Sequence, residues 1–210
     1  MKQVEQAKIH LGKDPIFRPL VSNLSLDYLW EPNEREAVYP HLLSAIIAQQ
    51  ISTKAAASIE TRFKSNFGDD FPSPEQILQH NLESLRSMGL SRQKANYIQN
   101  IATHFQEHQL LDFNWDAASN EEITKQLTAI KGVGQWTVEI ILMFALNRAD
   151  VFPIGDLAIR NAMIRLYGVQ SEGKQLKKEL TTIAANWQPY RTLACYYLWT
   201  WKHREFPDFL

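Results

Sequence analysis

The residues of this chain that could carry out chemistry are a glycine-rich stretch and one aspartate. The stretch is Leu127 to Val138, LTAIKGVGQWTV, and the aspartate is Asp156 in the turn FPIGD. Gly132 and Gly134 can adopt positive φ angles and allow another group to approach the backbone closely. Such a turn leaves unpaired amides at the start of the next helix, where the helix dipole also favours an anion. A turn that can bind phosphate, followed by a carboxylate in a fixed position, indicates chemistry on nucleic acid.

Length and composition limit the class of protein. The chain has 210 residues, 45% of them apolar, which fits one compact unit or two closely packed lobes. Because Cys195 is the only cysteine, an intramolecular disulfide and a four-thiolate iron–sulfur cluster are excluded. The polar N-terminus and the lack of a long apolar run predict a soluble intracellular protein without a membrane partner.

The net charge of −1 hides an uneven distribution. Residues 1–124 carry 11 Lys/Arg and 16 Asp/Glu, whereas residues 125–210 carry 11 Lys/Arg and 7 Asp/Glu. The half with a net charge of +4 therefore contains both the glycine stretch and Asp156. A phosphate backbone would be attracted to this half, although the excess is modest.

Hydrophobic spacing predicts an all-α fold of about ten helices. Apolar residues recur at helical intervals through most of the chain, and no segment alternates with a period of two for long enough to form a strand. The helix after the glycine stretch carries Val138, Ile141, Leu142 and Ala145 on one face. This pattern indicates that the helix lies at the centre of the fold.

With these elements in place, the chain resembles the helix-hairpin-helix (HhH-GPD) DNA glycosylase superfamily. The greatest similarity is to the alkylbase (3-methyladenine DNA glycosylase II) type, in its compact form without an N-terminal β domain. A glycine hairpin alone is common among DNA-binding proteins, but five stretches in this order are specific. They are HLLSAIIAQQIS at 41–52, MGLSRQKANYIQNIA at 88–102, IKGVGQWTVEIIL at 130–142, DVFPIGDLAIRNA at 150–162 and YRTLACYYLW at 190–199.

The resemblance implies two α-helical lobes, with a base pocket in the cleft between them. Residues 1–210 would form a single catalytic unit. The central lobe would span 40–147 and include the hairpin at 127–138. The other lobe would be discontinuous, combining 1–39 with 148–210.

Asp156 is the predicted catalytic residue. An isolated Pro-x-Gly-Asp is more often the N-cap of the following helix, but its position after the hairpin favours catalysis. An ionised carboxylate can stabilise the positive charge that develops on the sugar and orient a water at C1′. Strand-cleaving members of the superfamily place a Schiff-base lysine at the position of Trp136. The tryptophan therefore implies a monofunctional enzyme that leaves an abasic site.

Three aromatic residues are predicted to line the base pocket: Trp136, Tyr190 and Trp199. Alkylated purines such as 3-methyladenine and 7-methylguanine are positively charged, so an aromatic cleft attracts them by cation–π contact and stacking. The alternative is ordinary packing, because the C-terminal aromatics lie in a strong amphipathic stripe.

The predicted DNA contacts lie in three segments. The hairpin would contribute Lys131, Gly132, Val133, Gly134 and Thr137. A break between two helices would contribute Gln49, Gln50, Ile51 and Ser52, as a loop that fills the gap left by a flipped nucleotide. Ser91, with Arg92 and Lys94 nearby, could also contact the backbone. Each of the last two segments could instead be a solvated turn or a capped helix start.

No cofactor is expected to be required. The resemblance allows a Na⁺ or K⁺ ion at the hairpin, held by the backbone carbonyls of Thr128, Ile130 and Val133. The histidines are scattered and no cysteine accompanies them, so a zinc site is not predicted.

The sequence therefore predicts a base excision repair glycosylase that binds damaged double-stranded DNA. It would act as a monomer in a bacterial cytoplasm or a eukaryotic nucleus. One alternative is a monofunctional glycosylase for deaminated, oxidised or mismatched bases. The other is a non-catalytic helix-hairpin-helix DNA-binding module.

Overall fold

The computed structural model describes residues 2–26 and 37–204. These residues form twelve α-helices and no strand, which confirms the all-α prediction. This number is close to the predicted ten, and it includes short helices such as the five-residue Pro74–Leu78. In chain order the helices are α1 (Lys2–Leu11), α2 (Arg18–Asn23), α3 (Val38–Ala48), α4 (Thr53–Lys64), α5 (Pro74–Leu78), α6 (Leu82–Ser87), α7 (Arg92–Glu107), α8 (Asn120–Thr128), α9 (Gln135–Phe144), α10 (Leu157–Tyr167), α11 (Gly173–Ala185) and α12 (Arg191–His203).

The chain divides into two compact units. Unit 1 combines residues 1–34 with 147–210, and unit 2 comprises residues 35–146. The sequence predicts lobe boundaries at 39/40 and 147/148. The boundaries between the two units lie at 34/35 and 146/147. The cleft between lobes stays a prediction.

Unit 2 is organised around α7. This helix packs against α3, α5 and α6, while α9 packs against α3 and α8. The apolar stripe of α7 is fully buried and includes Ala95, Ile98, Ala102 and Phe105. Burial of this stripe fixes the rotation of α7, and with it the directions of the other side chains of the helix.

Unit 1 is organised around α12, which packs against α10 and α2. Nine of the 13 residues of α12 are buried. Phe17 links this helix to the rest of the unit, because its ring lies 5.3 Å from that of Trp187 and 6.1 Å from that of Tyr197. The packing of α12 against α10 brings the C-terminal aromatic residues to the helix that follows Asp156.

Candidate functional site: the glycine hairpin and Asp156

The hairpin between α8 and α9 is a tight turn that only glycine fits at its centre. The amide of Val133 donates a hydrogen bond to the Ile130 carbonyl at 3.0 Å. Gly132 has a φ of 109°, in the region that favours glycine. The ring of Tyr97 lies against it so closely that a Cβ on Gly132 would be 2.3 Å from the Tyr97 Cγ.

The start of α9 is open to an anion. Five other helices of unit 2 begin after a serine or asparagine whose side chain accepts a bond from a backbone amide, namely Ser52, Ser73, Asn81, Ser91 and Ser119. The N-cap of α9 is Gly134, which has no side chain to make this bond. A phosphate oxygen placed there could accept from the first amides of α9, which have no partner within the helix.

Asp156 lies between a rigid turn and α10, which begins at Leu157. The turn is closed by bonds from the Ile154 amide to the Phe152 carbonyl at 2.9 Å and from the Asp156 amide to the Pro153 carbonyl at 2.8 Å. Oδ1 of Asp156 accepts from the Ile159 amide at 2.9 Å, so this residue is indeed an N-cap. The carboxylate is half-buried. The capping bond restricts its side-chain rotation, which a catalytic carboxylate also requires.

Trp199 makes a second bond to the same carboxylate oxygen. Its indole Nε1–H donates to Oδ1 of Asp156 at 3.2 Å. The Trp199 ring in turn stacks on Tyr196, with centroids 5.9 Å apart and planes inclined by 29°. Burial raises the pKa of Tyr196 well above its usual value, so the stacked phenol is neutral. The structure thus places Trp199 beside the predicted catalytic group.

The other two predicted pocket residues occupy different surroundings. The edge of the Tyr190 ring contacts His10, with centroids 5.5 Å apart. Trp136 is 42% exposed at the second position of α9, so it is not a core tryptophan. By contrast, Trp187 and Trp201 are buried, as packing residues are.

The break between α3 and α4 is a four-residue turn with an unusual backbone. Gln50 has a φ of 60°, which is uncommon for a residue other than glycine. Ile51 is 36% exposed although it is apolar. Ser52 caps α4 by accepting from the Ala55 amide at 3.3 Å. The turn therefore presents Gln50 and Ile51 to solvent.

A family model described as HhH-GPD superfamily base excision DNA repair protein matches residues 43–189. The chain belongs to this superfamily. DNA-3-methyladenine glycosylase 1 of Schizosaccharomyces pombe is 38% identical over 204 residues, which cover 92% of this chain and 86% of that protein.

Two solved structures of this superfamily's fold extend the comparison. One is the 3-methyladenine DNA glycosylase of Schizosaccharomyces pombe in complex with abasic DNA, with a TM-score of 0.79 and 36% identity over 92% of this chain and 95% of that chain. The other is a DNA-3-methyladenine glycosidase from Bacillus halodurans, with a TM-score of 0.76 and 34% identity over 92% of this chain and 87% of that chain.

The remaining predicted DNA contacts of this superfamily member differ in exposure. Lys131 is exposed on the hairpin, and Ser91 is exposed but caps α7 by accepting from the Lys94 amide at 3.2 Å. The Thr137 side chain is only 3% exposed, so a contact with DNA at this position would use the backbone amide in the first turn of α9, and it stays a prediction. The Lys94 ammonium donates to the Ile47 carbonyl at 2.7 Å, and burial lowers its pKa.

Sequence reasoning missed two residues that support the hairpin. Tyr97 packs on Gly132, and the Asn100 Nδ2 donates to the Lys131 carbonyl at 3.0 Å. Both lie on α7, and a polar residue within a helix gives no sequence signal of such a role. A groove of about 480 Å³ beside them is lined by Arg92, Gln93, Asn96, Tyr97, Asn100 and Lys131. This groove has two cations and no carboxylate, so it favours an anion.

The described part of the chain contains neither a membrane-spanning helix nor a cluster of metal-ligating side chains. Over residues 2–26 and 37–204, no helix has the length and apolar character needed to cross a membrane. No group of three or more His, Cys, Asp and Glu side chains in the same ranges could hold a metal ion.

Proposed function

We propose that this protein is a base excision repair glycosylase that removes alkylated purines, such as 3-methyladenine and 7-methylguanine, from double-stranded DNA. The damaged nucleotide is flipped out of the duplex, its N-glycosidic bond is hydrolysed, and an abasic site remains. Membership of the superfamily and the activity named for the Schizosaccharomyces pombe relative support this proposal. Since its substrate is genomic DNA, the enzyme acts inside the cell, in the cytoplasm of a bacterium or the nucleus of a eukaryote.

The observation that carries the catalytic assignment is the position of Asp156. Its carboxylate is half-buried and is oriented by the Ile159 amide and the Trp199 indole. As the glycosidic bond breaks, positive charge develops on the sugar, and a fixed anion close to it lowers the barrier. An alkylated purine is already a good leaving group. The protein therefore needs to supply mainly electrostatic stabilisation and placement of water.

Trp136 supports a monofunctional reaction. A strand-cleaving enzyme of this superfamily needs an amine nucleophile at this position, and an indole cannot form a Schiff base. With 42% of its surface exposed, the indole can instead stack on a cationic base. Trp199, which bonds to Asp156, is also proposed to contact the base, whereas Tyr190 is engaged with His10.

A monovalent cation at the hairpin is a further part of the proposal. The carbonyls of Thr128, Ile130 and Val133 lie at the end of α8 and in the turn that follows. The Ile130 carbonyl oxygen accepts from the Val133 amide with one of its two lone pairs. Carbonyl oxygens are suitable ligands for Na⁺ or K⁺, and a second lone pair of Ile130 is available for one. Such an ion would add positive charge beside the amides that receive the phosphate.

The deciding experiment measures release of free bases from methylated duplex DNA by the wild type and by Asp156→Asn. Asparagine is as good an N-cap as aspartate, so this variant keeps the fold and removes only the charge. We expect the wild type to release 3-methyladenine or 7-methylguanine, and the variant to be slower by roughly 10²-fold or more with its DNA affinity retained.

Other outcomes lead to other functions. If the wild type releases no alkylated base but excises a deaminated, oxidised or mismatched one, the substrate class is wrong. If it binds duplex DNA and excises nothing, the chain is a binding module. Undiminished release by Asp156→Asn would remove Asp156 from the mechanism.

A further inference from the structure

The helix α7 holds both of the turns that are proposed to contact DNA in unit 2. Lys94 donates to the carbonyl of Ile47, which lies just before the turn of residues 49–52. Tyr97 and Asn100 contact the hairpin, at Gly132 and at the Lys131 carbonyl. Lys94, Tyr97 and Asn100 are spaced three residues apart, so they lie on successive turns of α7. One helix therefore contacts both the segment before residues 49–52 and the hairpin.

The Ile47 carbonyl has no acceptor role within α3, and Lys94 donates the hydrogen bond that it would otherwise lack. In a continuing helix the Ile47 carbonyl would accept from the amide of Ile51. Here Gln50 has a φ of 60° and turns the chain, so the Ile51 amide donates to the Ala48 carbonyl instead, at 3.5 Å. The Lys94 ammonium replaces the Ile51 amide as the donor to Ile47, at the negative end of the α3 dipole.

The surroundings of Lys94 favour this role over a contact with DNA. Its side chain is half-buried between packed helices, whereas that of Arg92 is exposed. The ammonium is already 2.7 Å from an acceptor, so a phosphate would have to break a charge-assisted bond. A second bond joins the two helices on either side of this turn, because the Ser44 hydroxyl of α3 donates to Glu60 of α4 at 2.6 Å.

We propose that Lys94 is a positioning residue that holds the turn of residues 49–52 in the shape needed to fill the gap left by a flipped nucleotide. This inference rests on the proposed function for its role with DNA. Without the bond, the Ile47 carbonyl loses its partner and the strained backbone at Gln50 can relax. The turn then samples several shapes, and each insertion into the duplex must first select the correct one.

The first test measures amide exchange by NMR in Lys94→Met and Lys94→Arg, without DNA. The amides of Gln49 and Ile51 report on the turn, since they donate to the Ile46 and Ala48 carbonyls. We expect their exchange to be about tenfold faster in Lys94→Met, the effect of losing one hydrogen bond to a charged group, and largely restored in Lys94→Arg. Asn100→Ala is the matched control: it should speed exchange at Val133 in the hairpin and leave the turn unchanged.

The second test measures insertion into DNA without requiring catalysis. The probe is a duplex with a tetrahydrofuran abasic analogue opposite 2-aminopurine, whose fluorescence changes when a side chain fills the gap. We expect Lys94→Met to bind this duplex about tenfold more weakly than the wild type. Its affinity for the single-stranded abasic oligonucleotide, where there is no gap to fill, should be unchanged.

The two tests separate failure of this inference from failure of the proposed function. Unchanged exchange at Gln49 and Ile51 in Lys94→Met would overturn the positioning role, whatever the enzyme excises. Faster exchange with unchanged gap filling would overturn its connection to DNA. A wild type that fills the gap but excises no base would refute the proposed function alone.

Discussion

Replacing Gly132 with alanine tests whether the hairpin is shaped by its contact with α7. An added Cβ would lie 2.3, 2.4 and 2.8 Å from the Cγ, Cδ1 and Cδ2 atoms of Tyr97, so either the ring or the turn must move. Overpacking of this kind costs about 1–3 kcal/mol. The φ of 109° adds about 1–3 kcal/mol of backbone strain for a residue with a Cβ.

The free energy of unfolding should therefore fall by about 2–6 kcal/mol in Gly132→Ala, a large part of the 5–15 kcal/mol typical of a domain. If the turn relaxes instead, the loss of stability will be smaller and the amides at the start of α9 will no longer converge on a phosphate. Urea unfolding and fluorescence anisotropy with a duplex oligonucleotide measure the two effects separately.

A second glycine of the hairpin supplies the control. A Cβ on Gly134 would meet nothing within 4 Å, and its φ of −95° is available to any residue. Gly134→Ala should cost about 1 kcal/mol or less, from a poorer N-cap. If this variant nevertheless binds DNA weakly, the phosphate approaches the backbone at Gly134 closely.

The two causes of the Gly132 effect can also be separated. In a Tyr97→Ala background the ring is absent, so Gly132→Ala should cost only the backbone strain, about 1–3 kcal/mol. An equal cost in both backgrounds would show that the contact with Tyr97 does not constrain the hairpin. A Gly132→Ala protein with wild-type stability and DNA affinity would refute both causes.

Three further predictions concern Asp156, the groove and a half-buried histidine. Trp199→Phe keeps an aromatic ring but removes the bond to Asp156, so base release should slow about tenfold while DNA affinity stays constant; an unchanged rate would exclude an orienting role. Removing the charge of Arg92 or Lys131 should lower the slope of log Kd against log salt by about 1 for each phosphate that is no longer neutralised. The rate of base release at saturating enzyme should not change. Lys177→Gln on α11 is the control and should leave the slope unchanged. Burial, and then the nearby His108, lower the pKa of His104. The unfolded chain therefore takes up the proton first, so stability should be full above about pH 6.5 and fall below it; urea titrations should show a weaker pH dependence in His104→Asn.

Local signals in the sequence predict the helices of this fold well. Ser73, Asn81 and Ser91 each precede a helix and accept from its third amide, as these residue types at a helix start indicate. Gly132 has the positive φ that its place in the hairpin predicts. These features depend on only a few neighbouring residues, so the sequence alone is sufficient to find them.

Contacts between distant residues could not be predicted in the same way. Trp199 and Asp156 are separated by 43 positions, and Lys94 and Ile47 by 47. Each pair meets because two helices pack together, and a single sequence contains no signal of that packing. Burial of the Thr137 side chain is different: it lies four residues before Ile141, on the buried face of α9, so helical periodicity predicts it.

Near-neutral charge and DNA binding are compatible here because the proposed site depends on geometry more than on the number of cations. Unit 2 contains 9 Lys/Arg and 12 Asp/Glu, yet the groove beside the hairpin is lined by two cations and no acid. The hairpin adds backbone amides, which attract phosphate without changing the net charge. Since backbone amides must be aimed correctly to act, the side chains of α7 that fix the two turns become as important for binding as the groups that touch DNA.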